Sequence, residues 1–448
     1  MRTARAFLLV LFSAGVCAAA GVRFETGNGI RVRVEESHAV PMVVFQVLVE
    51  AGSRLDPPGR EGLANLTADL LNEGTKRRSA REVARTVDAW GARFSTGADK
   101  DYAWLRMTTL RRHAEEAFAL LAESMLEPAF SGAEVERRKE VLLGSLRAEE
   151  DDPASVALRT FEHALHGAGP YGHPVEGWPG SVSALDRDDV EAFYRRWYRP
   201  ERTIVVAVGD ITREDVEALV ERHFGSWPRA EGEGAEVREP ESTEPRTIVV
   251  DKPTEQAHIV IGHRGVSRRA PEFEALLVLN QILGGGAFSS RLFRSIRTEA
   301  GLAYAVYSEL VSRKLGGSFR VVLQTKPSSV EEAIRTTKHE LLEIRREGVS
   351  REELEDARRY LTGSFALRLD SNTELAGFLA RSEFFGLGED YVSRFVEKVN
   401  AVDRKLVAEL AREFLHPESL FVVVVGPKDK IGESRPLSKR RFTVRRLT

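Results

Sequence analysis

The sequence predicts an α+β protein built from two domains of like fold, and three features point to it. The chain repeats itself at a fixed spacing. Ala184-Leu185-Asp186-Arg187 returns as Ala401-Val402-Asp403-Arg404, Pro200-Glu201 returns as Pro417-Glu418, and the apolar run 203–208 before Gly209 returns as 420–425 before Gly426. Each pair lies 217 residues apart in a chain of 448, which makes room for two copies and rules out a solenoid of many. The segment 229–246 (RAEGEGAEVREPESTEPR) is rich in Glu, Gly and Pro and has no apolar periodicity, so it reads as an exposed linker between residues 21–228 and residues 247–427. Finally, each half mixes strand and helix signals without the regular alternation of a parallel barrel.

The elements follow in order. Runs 42–49, 103–108, 204–208, 258–261, 319–324 and 421–425 are short and apolar or alternating, as strands are. Helix starts are marked by Ser79-x-x-Glu82, Ser329-x-x-Glu332 and Ser350-x-x-Glu353, each of which predicts a capping box. Gly348 stands where a helix end needs a left-handed residue.

Composition narrows the function. With 42% hydrophobic and 30% charged residues the chain has enough apolar material for two cores, and a net charge of −3 gives no reason to expect nucleic acid as a partner. The N-terminus is different. Arg2 and Arg5 precede an apolar stretch at 6–16 and a small-residue site, Ala18-Ala19-Ala20. This is the pattern of a secretory signal peptide spanning residues 1–20, which places the mature chain across the inner membrane, in the periplasm. A lipid anchor on Cys17, the only cysteine, is the second reading, disfavoured because Val16 replaces the small residue that should precede it. Cleavage after Ala20 would leave a mature chain that cannot form a disulfide. The tail 428–448 carries eight basic residues against two acids. It reads as a solvated tail, with attraction to an anionic membrane or an acidic partner as the second reading.

The most informative stretch is 51–75, AGSRLDPPGREGLANLTADLLNEGT. It resembles the signature region of the pitrilysin/insulinase metallopeptidases, the inverzincins, in its lead Glu61-Gly62-Leu63-Ala64 and its trailing Gly74-Thr75. In that family a helix carries His-x-x-Glu-His. Histidines at i and i+4 share one helix face and hold a zinc ion, the Glu between them serves as general base, and a distant Glu completes the ligands. Here Asn65 and Asp69 stand at the two histidine places and Ala68 at the base. The resemblance puts the third ligand at Ser145, 76 residues beyond Asp69, in the run Val141-Leu142-Leu143-Gly144-Ser145. All four places are substituted, so no metal is expected in this chain. Asn65 and Asp69 read as polar groups on a surface helix, and Asp99, Asp101 and Asp151 as acids of solvated loops. Among the ten histidines, His163 and His166 lie three apart on a helix without an acid suitably between them, and offer no replacement.

The resemblance runs from about residue 23 to residue 427 and includes Pro170-Tyr171-Gly172-His173-Pro174 and the segment 193–210. Its second strong motif is 280–308, NQILGGGAFSSRLFRSIRTEAGLAYAVYS. There the family presents an Arg and a Tyr seven residues apart that hold the substrate carbonyl and its developing oxyanion. The matching residues are Arg297 and Tyr304. A permanent guanidinium fork and a phenolic donor suit that work, and losing one such donor costs on the order of 3 kcal/mol of barrier. Taken without the family, the same residues allow a plainer reading, with Arg297 paired to Glu299 or another acid and Tyr304 packed at the core edge. Gly284-Gly285-Gly286 lacks the Lys-Ser/Thr of a phosphate loop and resembles the family's glycine turn, which admits an extended peptide close to the backbone.

The resemblance implies two domains of mixed, mostly antiparallel sheet packed with helices and arranged as a clamshell. It also implies a partner. A chain without the zinc residues but with Arg297 and Tyr304 fits the non-catalytic half of a heterodimer, in which the other subunit carries His-x-x-Glu-His and the zinc. The alternatives are a stand-alone peptide-binding or scaffolding protein, and a peptidase with unusual ligands.

Overall fold

The structure, a computed structural model, describes residues 21–229 and 244–431. The expected signal peptide, most of the expected linker and all but the first residues of the basic tail lie outside the described residues.

The first half runs β1 (Val22–Glu25), β2 (Arg31–Glu36), β3 (Met42–Val49), α1 (Leu63–Asp69), α2 (Ala80–Ala89), β4 (Arg93–Ala98) and β5 (Ala103–Leu110). It continues with α3 (Ala114–Leu126), α4 (Gly132–Asp151), α5 (Pro153–His166), α6 (Pro179–Ser183), α7 (Arg187–Trp197), β6 (Thr203–Gly209) and α8 (Arg213–Phe224). The second half begins with β7 (Thr247–Asp251), β8 (Ala257–Gly265), α9 (Phe273–Asn280), β9 (Ala303–Ser312) and β10 (Gly317–Thr325). Helices α10 (Val330–Glu347), α11 (Arg351–Leu367), α12 (Asn372–Phe385), α13 (Tyr391–Ala401) and α14 (Arg404–Phe414) follow, and β11 (Phe421–Gly426) closes it.

The duplication is visible in the sheets. One has the order β1-β2-β6-β3-β5-β4 and the other β7-β11-β8-β10-β9. Apart from the extra β1, the orders correspond strand for strand, and in each the only parallel pair joins the first long strand to the last, β2 to β6 and β7 to β11. The α+β class and the two-domain clamshell are therefore the observed architecture. Two large cores fill the halves, one under the first sheet around Phe45, Phe118 and Phe224, the other under the second around Phe319, Phe365 and Phe395.

The other face of each sheet explains why β6 (TIVVAVG) and β11 (FVVVVG) are apolar throughout and not alternating. Both are buried at every residue, as strands covered on two sides must be. The cover comes from the opposite half. Helix α12 lays Ala376, Leu379, Ala380 and Phe384 on Val44, Leu48, Ile204, Val206 and Val208 of the first sheet. Helix α5, its counterpart in the repeat, lays Val156, Ala157, Phe161 and Ala164 on Val260, Phe421, Val423 and Val425 of the second. Each helix also brings a glutamate to an arginine of the sheet it covers: Glu383 to Arg33 at 3.2 Å, and Glu162 to Arg320 at 2.8 Å.

A third junction corrects a sequence reading. The turn between β9 and β10 enters the first half, where Lys314 donates its backbone N–H to Asp101 (2.9 Å) and its ammonium to Glu50, Arg313 faces Asp99 (3.4 Å), and the Leu315 N–H donates to Tyr171 Oη (3.1 Å). Tyr171 in turn donates to Asp101 (2.6 Å) and Arg54 pairs with it (3.2 Å). Asp101 is only 2% exposed; it is a buried junction acid, not a solvated loop residue, because the turn of the distant half closes over it. The Ser329 capping box is also absent: Ser329 ends a tight 3-10 turn at φ −102°, ψ 2°, and its hydroxyl makes no cap bond. An N-cap needs extended backbone, which Ser79 and Ser350 have and with which they form both bonds of the box. Gly348 does take positive φ, 71°. Among the described residues no helix is long and apolar enough to cross a membrane.

Candidate functional site

The first candidate region is the α1–α4 junction. Helix α1 starts at Gly62, whose φ of 98° suits glycine and where a Cβ would lie 2.6 Å from the Glu176 carbonyl oxygen. Its first N–H groups are satisfied from outside the helix, since the Asp56 carboxylate accepts from Gly62 and Ala64 at 2.8 Å each. Leu63, Ala64, Leu66, Thr67 and Ala68 are buried, so α1 is a packed helix, not the surface helix its polar residues suggest. Asn65 and Asp69 share its half-buried edge.

Ala68 presents a methyl group, which cannot move a proton. Asp69 is committed to a cation of the chain itself: its Oδ2 accepts from Arg138 Nη2 of α4 at 2.6 Å. Burial pushes the Asp69 carboxyl up, and Arg138 opposes that. Arg138 also lies 3.8 Å from Glu73, which pairs more closely with Arg137 at 2.5 Å. Ser145, two turns beyond Arg138 on α4, is exposed, and its hydroxyl donates to the Leu142 carbonyl of its own helix (3.3 Å). Among the described residues no group of three or more His, Cys, Asp or Glu side chains is placed to hold a metal. The donor set does not fit zinc: an amide is a poor ligand, one carboxylate is already paired, and the remaining two positions offer a methyl and a turned-away hydroxyl. His163 and His166 are engaged otherwise, His163 Nδ1 with the Gly172 carbonyl and His166 with Glu162.

The second region is the end of the second sheet. Strand β9 is its edge, and the pairing with β10 slips between Leu323 and Thr325, so Tyr304 and Ala305 together face Gln324. Such a bulge re-aims side chains; Tyr304 is 74% exposed. Arg297 comes from a wide π-type turn, Phe293–Glu299, and its guanidinium sits 4.7 Å from the Phe293 ring centre and 5.1 Å from that of Tyr304. The pair is therefore brought together. Glu299 faces Arg294 at 3.9 Å, and among the described residues no acid pairs with Arg297. Neither half of the plainer reading holds, since Arg297 lies between two aromatic faces, an arrangement that leaves its N–H fork unneutralised.

Gly284, Gly285 and Gly286 lie on the same side. A second π-type turn, Gln281–Gly285, presses Gly284 against β9, where a Cβ would come within 2.6 Å of the Ser308 backbone N. The close approach at Gly284 is thus to the chain's own strand, while Gly285 and Gly286 reach the surface. The loop continues through Ala287, at φ 44°, to Phe288, which is 78% exposed and stacks edge-on with Phe293. A groove of about 610 Å³ opens beside the turn, lined by Gln281, Ser289, Arg294, Glu340 and Tyr360 among others. Among the described residues no hydrogen bond, ion pair or ring contact joins this region to the α1–α4 junction.

Arg138, Asp56, Phe288 and Phe293 escape a sequence reading. Arg138 alone left a signal: it precedes Ser145 by seven residues, two helical turns on the same face.

The comparisons with known proteins fit this geometry. The family model described as insulinase (peptidase family M16) matches residues 31–177, and that described as the peptidase M16 inactive domain matches residues 184–361. A Mycobacterium bovis protein described as an uncharacterized zinc protease is 32% identical, over 85% of this chain and 89% of its own length. A Helicobacter pylori protein described as non-peptidase homolog YmxG is 25% identical, over 90% of this chain and 93% of its own. The crystal structure of a peptidase M16 inactive domain from Pseudomonas fluorescens superimposes with a TM-score of 0.86 at 27% identity, covering 91% of this chain and 98% of that one. The chain belongs to the insulinase family, peptidase family M16.

Proposed function

We propose that this protein is the non-catalytic subunit of a zinc metallopeptidase heterodimer, exported to the periplasm. It binds a peptide substrate and supplies Arg297 and Tyr304 to the active site of a partner that carries His-x-x-Glu-His. The observation that carries the reading is the contrast between the two regions. Among the described residues the α1–α4 junction has no group of side chains placed to hold a metal, while the exposed Tyr304 lies beside the half-buried Arg297, which no acid among the described residues pairs. A cation and a phenol so presented, in a family of peptidases, suit an attacked carbonyl that is gaining negative charge. The glycine turn, the exposed Phe288 and the groove beside them provide surface on which the peptide would lie.

The test is reconstitution. The mature chain, captured from its native envelope fraction, is expected to bring with it a family member bearing His-x-x-Glu-His, and the pair is expected to cleave a peptide that neither subunit cleaves alone. A partner fully active without this chain would leave the scaffolding alternative in its place.

A further inference from the structure

The α1–α4 junction carries an inference that needs no partner. In the family resemblance these two helices share one zinc ion, two ligands coming from the first helix and one from the second. Here they share an ion pair. Asp69 ends α1, Arg138 lies on the face of α4 that also carries Ser145, and the two meet at 2.6 Å with side chains 23% and 25% exposed. Glu73, in the turn after α1, adds a second carboxylate 3.8 Å from the same guanidinium and is itself held by Arg137. Around this contact Ala64, Ala68 and Leu66 are fully buried. A carboxylate half-withdrawn from water needs a cation beside it, and a guanidinium fork supplies that charge with fixed geometry.

We propose that the guanidinium of Arg138 takes over the structural duty of a metal ion, tying α1 to α4 from within the chain and making the first domain indifferent to divalent metal. The acidic end of α1 has its counter-charge in a covalently attached cation that a chelator cannot remove.

Thermal unfolding of the full mature chain tests this. The wild-type midpoint is expected to be unmoved by EDTA or by added Zn²⁺ or Mn²⁺. Arg138→Met, which keeps the bulk of the side chain and removes its charge, is expected to lower the midpoint by about 3–8 °C. Arg138→Lys, a cation without the fork, is expected to lie between the two. Arg138→Met combined with Asp69→Asn removes cation and anion together and is expected to regain most of the loss; if the single variant does not fold, folding of the double variant supports the proposal and its failure overturns it. The idea also falls if a metal raises the wild-type midpoint, if Arg138→Met is as stable as wild type, or if the double variant is no better than the single one.

Discussion

At the scale of single residues, a glycine of the second motif separates two explanations that look alike in sequence. Gly284 reads as a place where a peptide approaches the backbone, yet the nearest backbone is the chain's own strand β9 at Ser308. Gly284→Ala should therefore be destabilising by about 1–3 kcal/mol without any ligand present, because the new methyl must displace a strand or the turn. Gly144→Ala is the control. That residue is exposed on α4 with open space around it, so alanine should stabilise the helix by about 0.5–1 kcal/mol. Urea midpoints of the two variants should move in opposite directions, and a Gly284 variant as stable as wild type would mean that the turn has no need of glycine for packing. The family was legible because the motif that carries the resemblance is contiguous, Glu61 to Ala64 before and Gly74-Thr75 after. Arg138 was not, because its meaning depends on α4 crossing α1, which no local pattern encodes.

At the scale of elements, strand 42–49 was read to the residue, since it is a short, nearly continuous apolar run with Pro41 before it and Gly52 shortly after. The helix starts were read less evenly. Ser79-x-x-Glu82 and Ser329-x-x-Glu332 are equivalent as strings, but only Ser79 enters its helix from extended backbone and accepts the Glu82 N–H; Ser329 enters from a 3-10 turn after Pro327. Ser79→Ala should cost about 1 kcal/mol of stability and Ser329→Ala close to nothing. Equal losses in chemical denaturation would mean that the Ser329 cap forms in solution. The same limit hides the Arg297–Tyr304 arrangement. The seven-residue spacing is visible, whereas the π-type turn that brings Arg297 to two rings packs on β9 and α10, and the bulge at Tyr304 belongs to the pairing of β9 with β10.

At the scale of the molecule, the 217-residue spacing revealed the duplication. It did not say that each sheet is covered by a helix of the opposite half, because an apolar run specifies burial and not the partner that buries it. The exchange makes acid a probe of the whole. Burial alone would push the Glu162 carboxyl up, but its hydrogen bond with His166 and the Arg320 guanidinium outweigh burial and hold it at about 2, well below an ordinary value of 4.5. A depressed carboxyl stabilises the fold above its unfolded value and ceases to do so as pH falls, so contact between α5 and the second sheet should weaken from about pH 4.5 down to 2, by up to roughly 3 kcal/mol. Glu162→Gln should be less stable than wild type at pH 7 and should lose less between pH 5 and pH 3. Denaturant midpoints across that range check it, and a variant with the wild-type acid slope would assign the loss to other groups.

The proposal that Arg297 and Tyr304 act in a partner's active site meets its most direct measurement in the turnover of the reconstituted pair. With assembly verified by size-exclusion chromatography, Arg297→Ala in this chain is expected to lower kcat by about 100-fold or more, with KM changed far less, because the charge it meets develops in the transition state. Tyr304→Phe is expected to lower kcat by less, since it removes a neutral donor. Assembled pairs in which both variants turn over at the wild-type rate would contradict the proposal, and Arg297 and Tyr304 would then be part of a surface with no role in the chemistry.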